Sequence, residues 1–517
     1  MIPRINGRIQ MKDGVIYLPD PVTIKNDFSE YAVRAFSERA AERGFQSETA
    51  EKGFISIVKN DVPEKEAYVL SVGKEGIRVE ASGEQGVIWA LTTLLKKTGQ
   101  DGSVQAGTFA DAPRAAHRGM HLDVARHFFD AGEVKRIIEQ MSLAKMNVLH
   151  WHLSDDQGWR IESRRFPKLH ETSAEYYTQE EIRDVVAYAR ERGVEVIPEI
   201  DMPGHTRGIL AAYPQYSCSG KKTGLAKAGG VYRRILCAGA EKTYEFLEEL
   251  LDELCPLFPS DRFHIGGDEA PKSEWKSCPV CAAKMKEQDI ADYEDLQGYF
   301  SVRVSKILKK HGKRPILWND SLKSRMRPEG MQMQYWSVDY NKPSAGYIAQ
   351  GGQWIYSDMF ELYLDYPHAM TSVKKMFENQ IDLGSCAYDA ENAPLGYEAC
   401  VWTEQITTNE ELEKRIFPRM YVLAELAWCG AGSYEEFEAR LQEEMRETEK
   451  RGICVTPYED WNPEGQKRQQ EASAFLAVMH AKPPEEEKNE IVNSSEAGED
   501  FQRKFKSRFF QKESAPE

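Results

Sequence analysis

No run of about 18 consecutive apolar residues occurs in this chain of 517 residues, which leaves nothing from which to build a membrane-spanning helix. The opening residues, MIPRINGRIQMKDG, also lack the apolar core of a secretory signal. The expectation is a chain neither exported by that route nor inserted in a membrane, with the cytoplasm as its compartment. A basic surplus is missing as well: 67 lysines and arginines face 83 aspartates and glutamates, for a net charge of −16. That balance disfavours a phosphate backbone or an anionic bilayer, so no nucleic-acid partner is expected and a small or neutral substrate fits better. Cysteine is sparse, odd in number and scattered, with nine residues from Cys218 to Cys454, so reduced, buried thiols are the default. The pair in Cys278-Pro-Val-Cys281 has the spacing of a metal knuckle or a redox pair. No second CxxC and no suitably spaced histidine pair accompanies it. Internal repeats are absent too.

What is present is a change of pattern near residue 113. The first 110 or so residues alternate strand-like runs (15–18, 54–58, 67–72, 76–80) with helical stretches such as QGVIWALTTLLKKTGQ, which predicts a small α+β domain over 1–113. From His117 onward, short apolar strands precede amphipathic helices: HRGMHLD, NVLHWHLS, GVEVIPEID, RFHIGGD, RPILWND, MQMQYW, QWIYSD and EACVWTE. Strands alternating with helices in this number predict a TIM (β/α)8 barrel over 114–432. One intervening helix, TQEEIRDVVAYARERG, opens on a capping box from Thr178 to Glu181. Residues 433–517 are predicted as a helical extension whose run beyond Pro483 is polar enough to be disordered.

In such a barrel, chemistry gathers where the strands end, because the following loops form one concave rim. The first strand ends at Asp123 and Arg126, the second carries His150, His152, Asp155 and Asp156, and the third leads to Asp201 and His205. The fourth delivers Asp268 and Glu269 behind a Gly-Gly pair. Strands five to eight supply Trp318, Trp336, Tyr363 and Trp402, with Asp365 and Glu404 nearby. Acids, one arginine and several aromatic rings suit a sugar, whose apolar faces stack on indoles while its hydroxyls take charged hydrogen bonds.

Five motifs, RGMHLDVARHFF, NVLHWHLSDDQGWRIE, PEIDMPGHT, HIGGDE and GYEACVWTE, resemble in this order those of the family 20 β-N-acetylhexosaminidases. The resemblance runs roughly from residue 85 to residue 430. It implies an exo-acting hydrolase of terminal β-linked GlcNAc or GalNAc on glycoconjugates, with no cofactor and no metal in the reaction. It further implies that Glu269 is the general acid/base, that Asp268 orients the 2-acetamido group, and that Tyr363 hydrogen-bonds the acetamido oxygen. Trp318, Trp336 and Trp402 would form the pocket, Arg126, Asp365 and Glu404 would hold outer hydroxyls, and Asp155 and His205 would support Glu269. The loop from Cys218 to Cys237 resembles one closed by a disulfide in some relatives.

Competing readings stand beside these. Gly-Gly-Asp-Glu also resembles the signature of cyclases that make cyclic dinucleotides, but Ala270 and Pro271 follow where that signature has Phe, and no phosphate-binding loop accompanies it. The tryptophans are equally suited to barrel packing. His150, His152 and Asp155 have the donor types of a zinc site, His205 the position of a turn cap, and Arg126 the spacing to pair with Asp123. A carbohydrate-binding protein on an inactivated barrel is the alternative from another class. On the catalytic reading, consecutive residues of an extended chain point to opposite sides. Asp268 and Glu269 would then serve two neighbouring atoms, the acetamido nitrogen and the leaving oxygen, while the acetamido oxygen itself attacks the anomeric carbon.

Overall fold

The computed structural model describes residues 1–26, 28–61, 64–378, 391–479 and 484–492. Its first part is a seven-stranded mixed sheet in the order Ile9–Tyr17, Ser103–Asp111, Tyr68–Gly73, Gly76–Ala81, Ile55–Lys59, Val22–Asn26 and Ser47–Thr49. The strands at Val22, Ser47 and Ser103 were not legible in the sequence pattern. Helix Glu84–Lys97 is buried along most of its length, which explains why its apolar residues cover a broad face: it packs on the sheet and on helix Glu30–Glu42, and its Trp89 also meets Trp428 and Gly193 of the next domain. Buried ion pairs lock the two parts together. Lys145 meets Asp111 at 2.8 Å and Arg39 meets Glu139 at 2.6 Å.

The second part is a closed barrel of eight parallel strands: His117–Asp123, Val148–His152, Glu195–Glu199, Arg262–His264, Arg314–Trp318, Gln332–Tyr335, Gln353–Tyr356 and Gly396–Val401. Every strand expected from the sequence takes its place in it. Thr178 and Glu181 form the reciprocal capping box at the start of helix Gln179–Glu191. The barrel interior is not purely apolar. Glu199, at the end of the third strand, is fully buried, accepts from Trp318 Nε1 at 3.0 Å and bonds His152, while His264 Nδ1 and His150 Nε2 lie 2.8 and 3.1 Å from its carboxylate oxygens. Glu398 in turn bonds His150 at 2.8 Å and His117 at 2.7 Å, and Gly119 leaves the room it needs, since a Cβ there would sit 2.4 Å from its carboxylate.

Two carboxylates thus neutralise a stack of imidazoles in a place where unpaired charge is very costly. Burial would lower the His150 and His152 pKa values, but Glu398 and Glu199 raise them to about 9 and about 10. Removing the hub should therefore leave two buried cations, His150 and His152, each with one of its two counter-charges missing. Glu199→Ala is expected to cost about 3–5 kcal/mol of stability, checked by urea unfolding.

After the barrel, helices Arg419–Cys429, Tyr434–Lys450 and Gly465–Met479 follow. Part of the polar run beyond Pro483 departs from expectation. Residues 484–492 dock on the loop at 227–234, where Val492 N–H donates to Val231 O at 2.8 Å and Tyr232 Oη to the buried Glu487 at 2.8 Å. A buried acceptor for a tyrosine hydroxyl is what the charged composition concealed. Residues 493–517 lie outside the described residues.

Candidate active site

The fourth strand stops at His264, and the Gly-Gly pair then bends the chain. Gly266, Gly267 and Glu269 all take positive φ, at 64°, 93° and 45°. Gly266 has a second reason to be glycine, because a Cβ there would lie 1.7 Å from Asp201 Oδ1. His205 shares the left-handed conformation at 52°, so two side chains of the site sit on strained backbone that the surrounding packing must hold.

This geometry corrects the expectation of an extended Asp268-Glu269 pair pointing to opposite sides. Both carboxylates approach the same nitrogen: Asp268 Oδ2 and Glu269 Oε2 each lie 3.6 Å from His205 Nε2. They differ in depth. The Asp268 side chain is 14% exposed and that of Glu269 is 40% exposed. Asp268 therefore belongs to the floor and Glu269 to the mouth.

A cavity of about 390 Å³ opens here, lined by Arg126, His205, Asp268, Glu269, Trp318, Trp336, Tyr363, Asp365, Trp402 and Glu404. Those are the site residues expected from the sequence with one exception. Asp155 is buried behind the wall, bonded to Arg126 Nη2 at 2.8 Å, His152 Nε2 at 3.0 Å and His205 Nδ1 at 3.2 Å. Arg126 lies closer to Asp155 than to Asp123, which is 3.6 Å away, and its guanidinium stands 4.8 Å over the Trp402 ring. Trp318 and Tyr363 flank Trp402 at ring-centroid distances of 5.9 and 6.1 Å. The zinc reading of His150, His152 and Asp155 loses its support. His150 is held by Glu398 and Glu199, whereas His152 bridges Glu199 and Asp155.

Electrostatics sort the acids. Burial holds the Asp268 carboxyl above the ordinary aspartate range, against the pull of the His205 cation. Burial opposes charge on His205 too, but Asp155 and Asp268 keep its pKa well above the usual imidazole value. Arg126 and His205 overcome the burial of Asp155 and hold that carboxyl well below its ordinary range. Burial, helped by Glu404, pushes Asp365 up to about 8, which leaves it largely protonated at neutral pH and able to donate a hydrogen bond.

Sequence reasoning missed several contributors. Tyr340, Phe475 and Met479 also line the cavity, the last two from helix Gly465–Met479. Beneath it, Asp320 accepts from Glu269 N–H at 2.7 Å and Asp201 from Gly267 N–H at 3.2 Å. The third strand carried one overlooked signal. An acid at Glu199, inside an apolar strand, demands a partner in the barrel core.

The family model for the glycosyl hydrolase family 20 catalytic domain matches residues 116–431, and that for domain 2 of the same family matches residues 1–112. This chain belongs to glycoside hydrolase family 20. It is 32% identical over 404 residues to a beta-hexosaminidase of Porphyromonas gingivalis, a match covering 71% of this chain and 51% of that protein. A beta-hexosaminidase of Akkermansia muciniphila is 30% identical over 409 residues, covering 73% and 83%. The chain thus spans about half the length of the first of these family members and most of the second. Among solved structures, the beta-N-acetylhexosaminidase from Bacteroides fragilis superposes with a TM-score of 0.81 at 28% identity, covering 88% of this chain and 97% of that one. The exo beta-N-acetylglucosaminidase from Vibrio harveyi, solved in complex with N-acetylglucosamine, gives 0.80 at 27% identity, covering 88% and 78%.

Cys218 and Cys237, whose loop resembles one closed by a disulfide in some relatives, are both free thiols. Among the described residues no helix is long and apolar enough to cross a membrane.

Proposed function

We propose that this chain is an exo-acting β-N-acetylhexosaminidase that removes terminal non-reducing β-linked GlcNAc or GalNAc from glycoconjugates with retention. The observation that carries this reading is the convergence of Asp268 and Glu269 on one imidazolium at two depths of an aromatic-walled cavity. Asp268, on the floor, orients the 2-acetamido group and steadies the charge that develops on it, while Tyr363 hydrogen-bonds the acetamido oxygen. That oxygen attacks the anomeric carbon as Glu269, near the mouth, protonates the departing oxygen. An oxazolinium intermediate forms, and water activated by Glu269 opens it. Trp318, Trp336 and Trp402 hold the ring and its acetyl group, and Arg126, Asp365 and Glu404 bind hydroxyls far from the aglycone. Asp155 and His205 act through Glu269 and Asp268, Asp155 from behind the wall.

Residues 1–113 serve in this reading as a supporting domain, 114–432 as the catalytic barrel, and 433–517 as an extension that lends Phe475 to the rim. Turnover of aryl β-N-acetylglucosaminide and β-N-acetylgalactosaminide tests the whole reading. Tight sugar binding without turnover would instead favour a lectin built on the same barrel.

The pH profile tests the part given to His205. Asp268 must be ionised to stabilise a cation, so kcat/KM falls as pH drops through its raised pKa. The His205 charge is what opposes burial there. Its removal makes ionisation harder. In His205→Asn the acidic limb of kcat/KM should therefore move to higher pH, measured against an activated aryl substrate that needs little acid assistance. An unmoved limb would remove His205 from this role.

A further inference from the structure

Four of the free cysteines stand together on the rim. Cys237 Sγ lies 3.7 Å from Cys281 Sγ and 4.0 Å from Cys278 Sγ, and Cys218 Sγ lies 3.8 Å from Cys281 Sγ. All four sulfurs fall within 4.8 Å of one another. A disulfide draws two sulfurs to about 2.05 Å and pairs them off. Here, instead, Cys237 and Cys281 each have two near neighbours at almost equal distance. Sulfurs bound at about 2.3 Å to the corners of a tetrahedron stand about 3.8 Å apart, close to the three separations of 3.7, 3.8 and 4.0 Å.

The chain is built to bring them there. Cys278 caps helix Pro279–Glu287 and Cys281 lies in its first turn, so the Cys-x2-Cys pair presents both thiols from one helix start. The other two come from the loop after the third barrel strand, where Ser217 and Leu236 pair across the loop's neck and Cys237 N–H donates to Tyr216 O at 2.8 Å. Gly239 lets this neck touch the helix, because a Cβ there would lie 2.6 Å from the backbone of Cys281. Cys237, Cys278 and Cys281 are buried and Cys218 is half-buried. The second cysteine pair, missing as a CxxC motif from the sequence, is thus supplied by two residues far apart in the chain.

We infer that Cys218, Cys237, Cys278 and Cys281 bind one structural zinc ion as a closed four-thiolate site. On binding, the four thiols release their protons and all four sulfurs become ligands; no oxidation is involved and no position stays open for water. The knot ties the loop that follows His205 to the loop that follows Asp268 and Glu269. Its reach into the site is short: Leu236 N–H donates to Pro203 O at 3.1 Å, and Trp275 Nε1 donates to Leu236 O at 2.9 Å. Val231, within the tied loop, lines the cavity. The zinc would fix the relative position of two catalytic loops without touching substrate, and it is independent of which sugar the cavity takes.

The test uses the full chain, purified under reducing conditions, equilibrated with zinc chloride and desalted. Elemental analysis should find about one zinc per chain. A mercurial thiol reagent should release it, and cobalt(II) in its place should give thiolate charge-transfer absorption with the intense visible bands of a tetrahedral ion. Cys218→Ser and Cys281→Ser should lose the metal, whereas Cys454→Ser, outside the cluster, should keep it. Because a ligand variant can fail to fold, thiols are also counted on the wild-type chain with and without metal: zinc should shield four of them from a thiol-titrating reagent. Less than about a tenth of a zinc per chain, equal retention by Cys281→Ser, or a disulfide among the four would each overturn the assignment.

Discussion

An aryl β-glucoside is expected to be hydrolysed more than about 10³-fold more slowly than the matching N-acetylglucosaminide, because the group that attacks the anomeric carbon is missing from it. The expectation rests on what the protein offers in its place. A retaining double displacement needs two carboxyls about 5 to 5.5 Å apart on opposite faces of the sugar. Asp268 and Glu269 come from one loop and converge on a single His205 nitrogen, so neither is placed as a nucleophile facing the other across the ring. A positioned intramolecular group is worth an effective molarity of about 10⁵ to 10⁸ M, and nothing on this loop substitutes for it. The measurement is kcat/KM for the two aryl glycosides at one pH. Comparable rates would mean that a protein carboxylate attacks directly and that Asp268 has been misassigned. A thiazoline mimic of the cyclised intermediate should bind competitively and far more tightly than product.

The barrel was legible because its signal is local and repeated. Eight short apolar runs, each followed by helix or turn chemistry, leave few other topologies. The strands at Val22, Ser47 and Ser103 of the first domain escaped because they are short or partly polar, and only their neighbours in the sheet define them. The site was legible to the extent that it sits at strand ends. Ten residues chosen from such positions line one cavity. Three kinds of feature could not be seen. Backbone conformation was one: positive φ at Gly266, Gly267 and Glu269 turns two neighbouring acids toward one histidine, and an alternating pattern gives no hint of that. Contributions from remote segments were another, as with Phe475 and the docking of Glu487 on Tyr232. The third is spatial assembly of scattered residues. Cys218 and Cys237 look unrelated to Cys278 and Cys281 until two loops meet at Gly239.

Substitution of each carboxylate should expose a different dependence on the leaving group, even though the two residues are consecutive. Glu269 lies nearer the mouth, and in the proposed mechanism it donates a proton to the departing aglycone. General acid catalysis is worth about 10² to 10⁴-fold, and a leaving group that departs unaided needs little of it. Glu269→Gln should therefore cripple chitobiose hydrolysis by about that factor yet leave a dinitrophenyl glycoside much less affected. Asp268 lies deeper, bordered by His205 and by Asp201, whose own carboxyl burial and Asp268 keep well above its usual range. In the same proposal its charge balances the developing oxazolinium, which forms from every substrate whatever departs. Loss of one such preorganised interaction typically costs about 10² to 10³-fold. Asp268→Asn should slow the disaccharide and the dinitrophenyl glycoside by similar factors, and the defect should not shrink as the leaving group improves. The decisive quantity is the slope of log(kcat/KM) against leaving-group pKa across a series of aryl glycosides, with folding of both variants confirmed by circular dichroism. A steep slope for Glu269→Gln beside an unaltered one for Asp268→Asn supports the two roles. Equal slopes would mean that depth in the cavity does not separate acid from orienter.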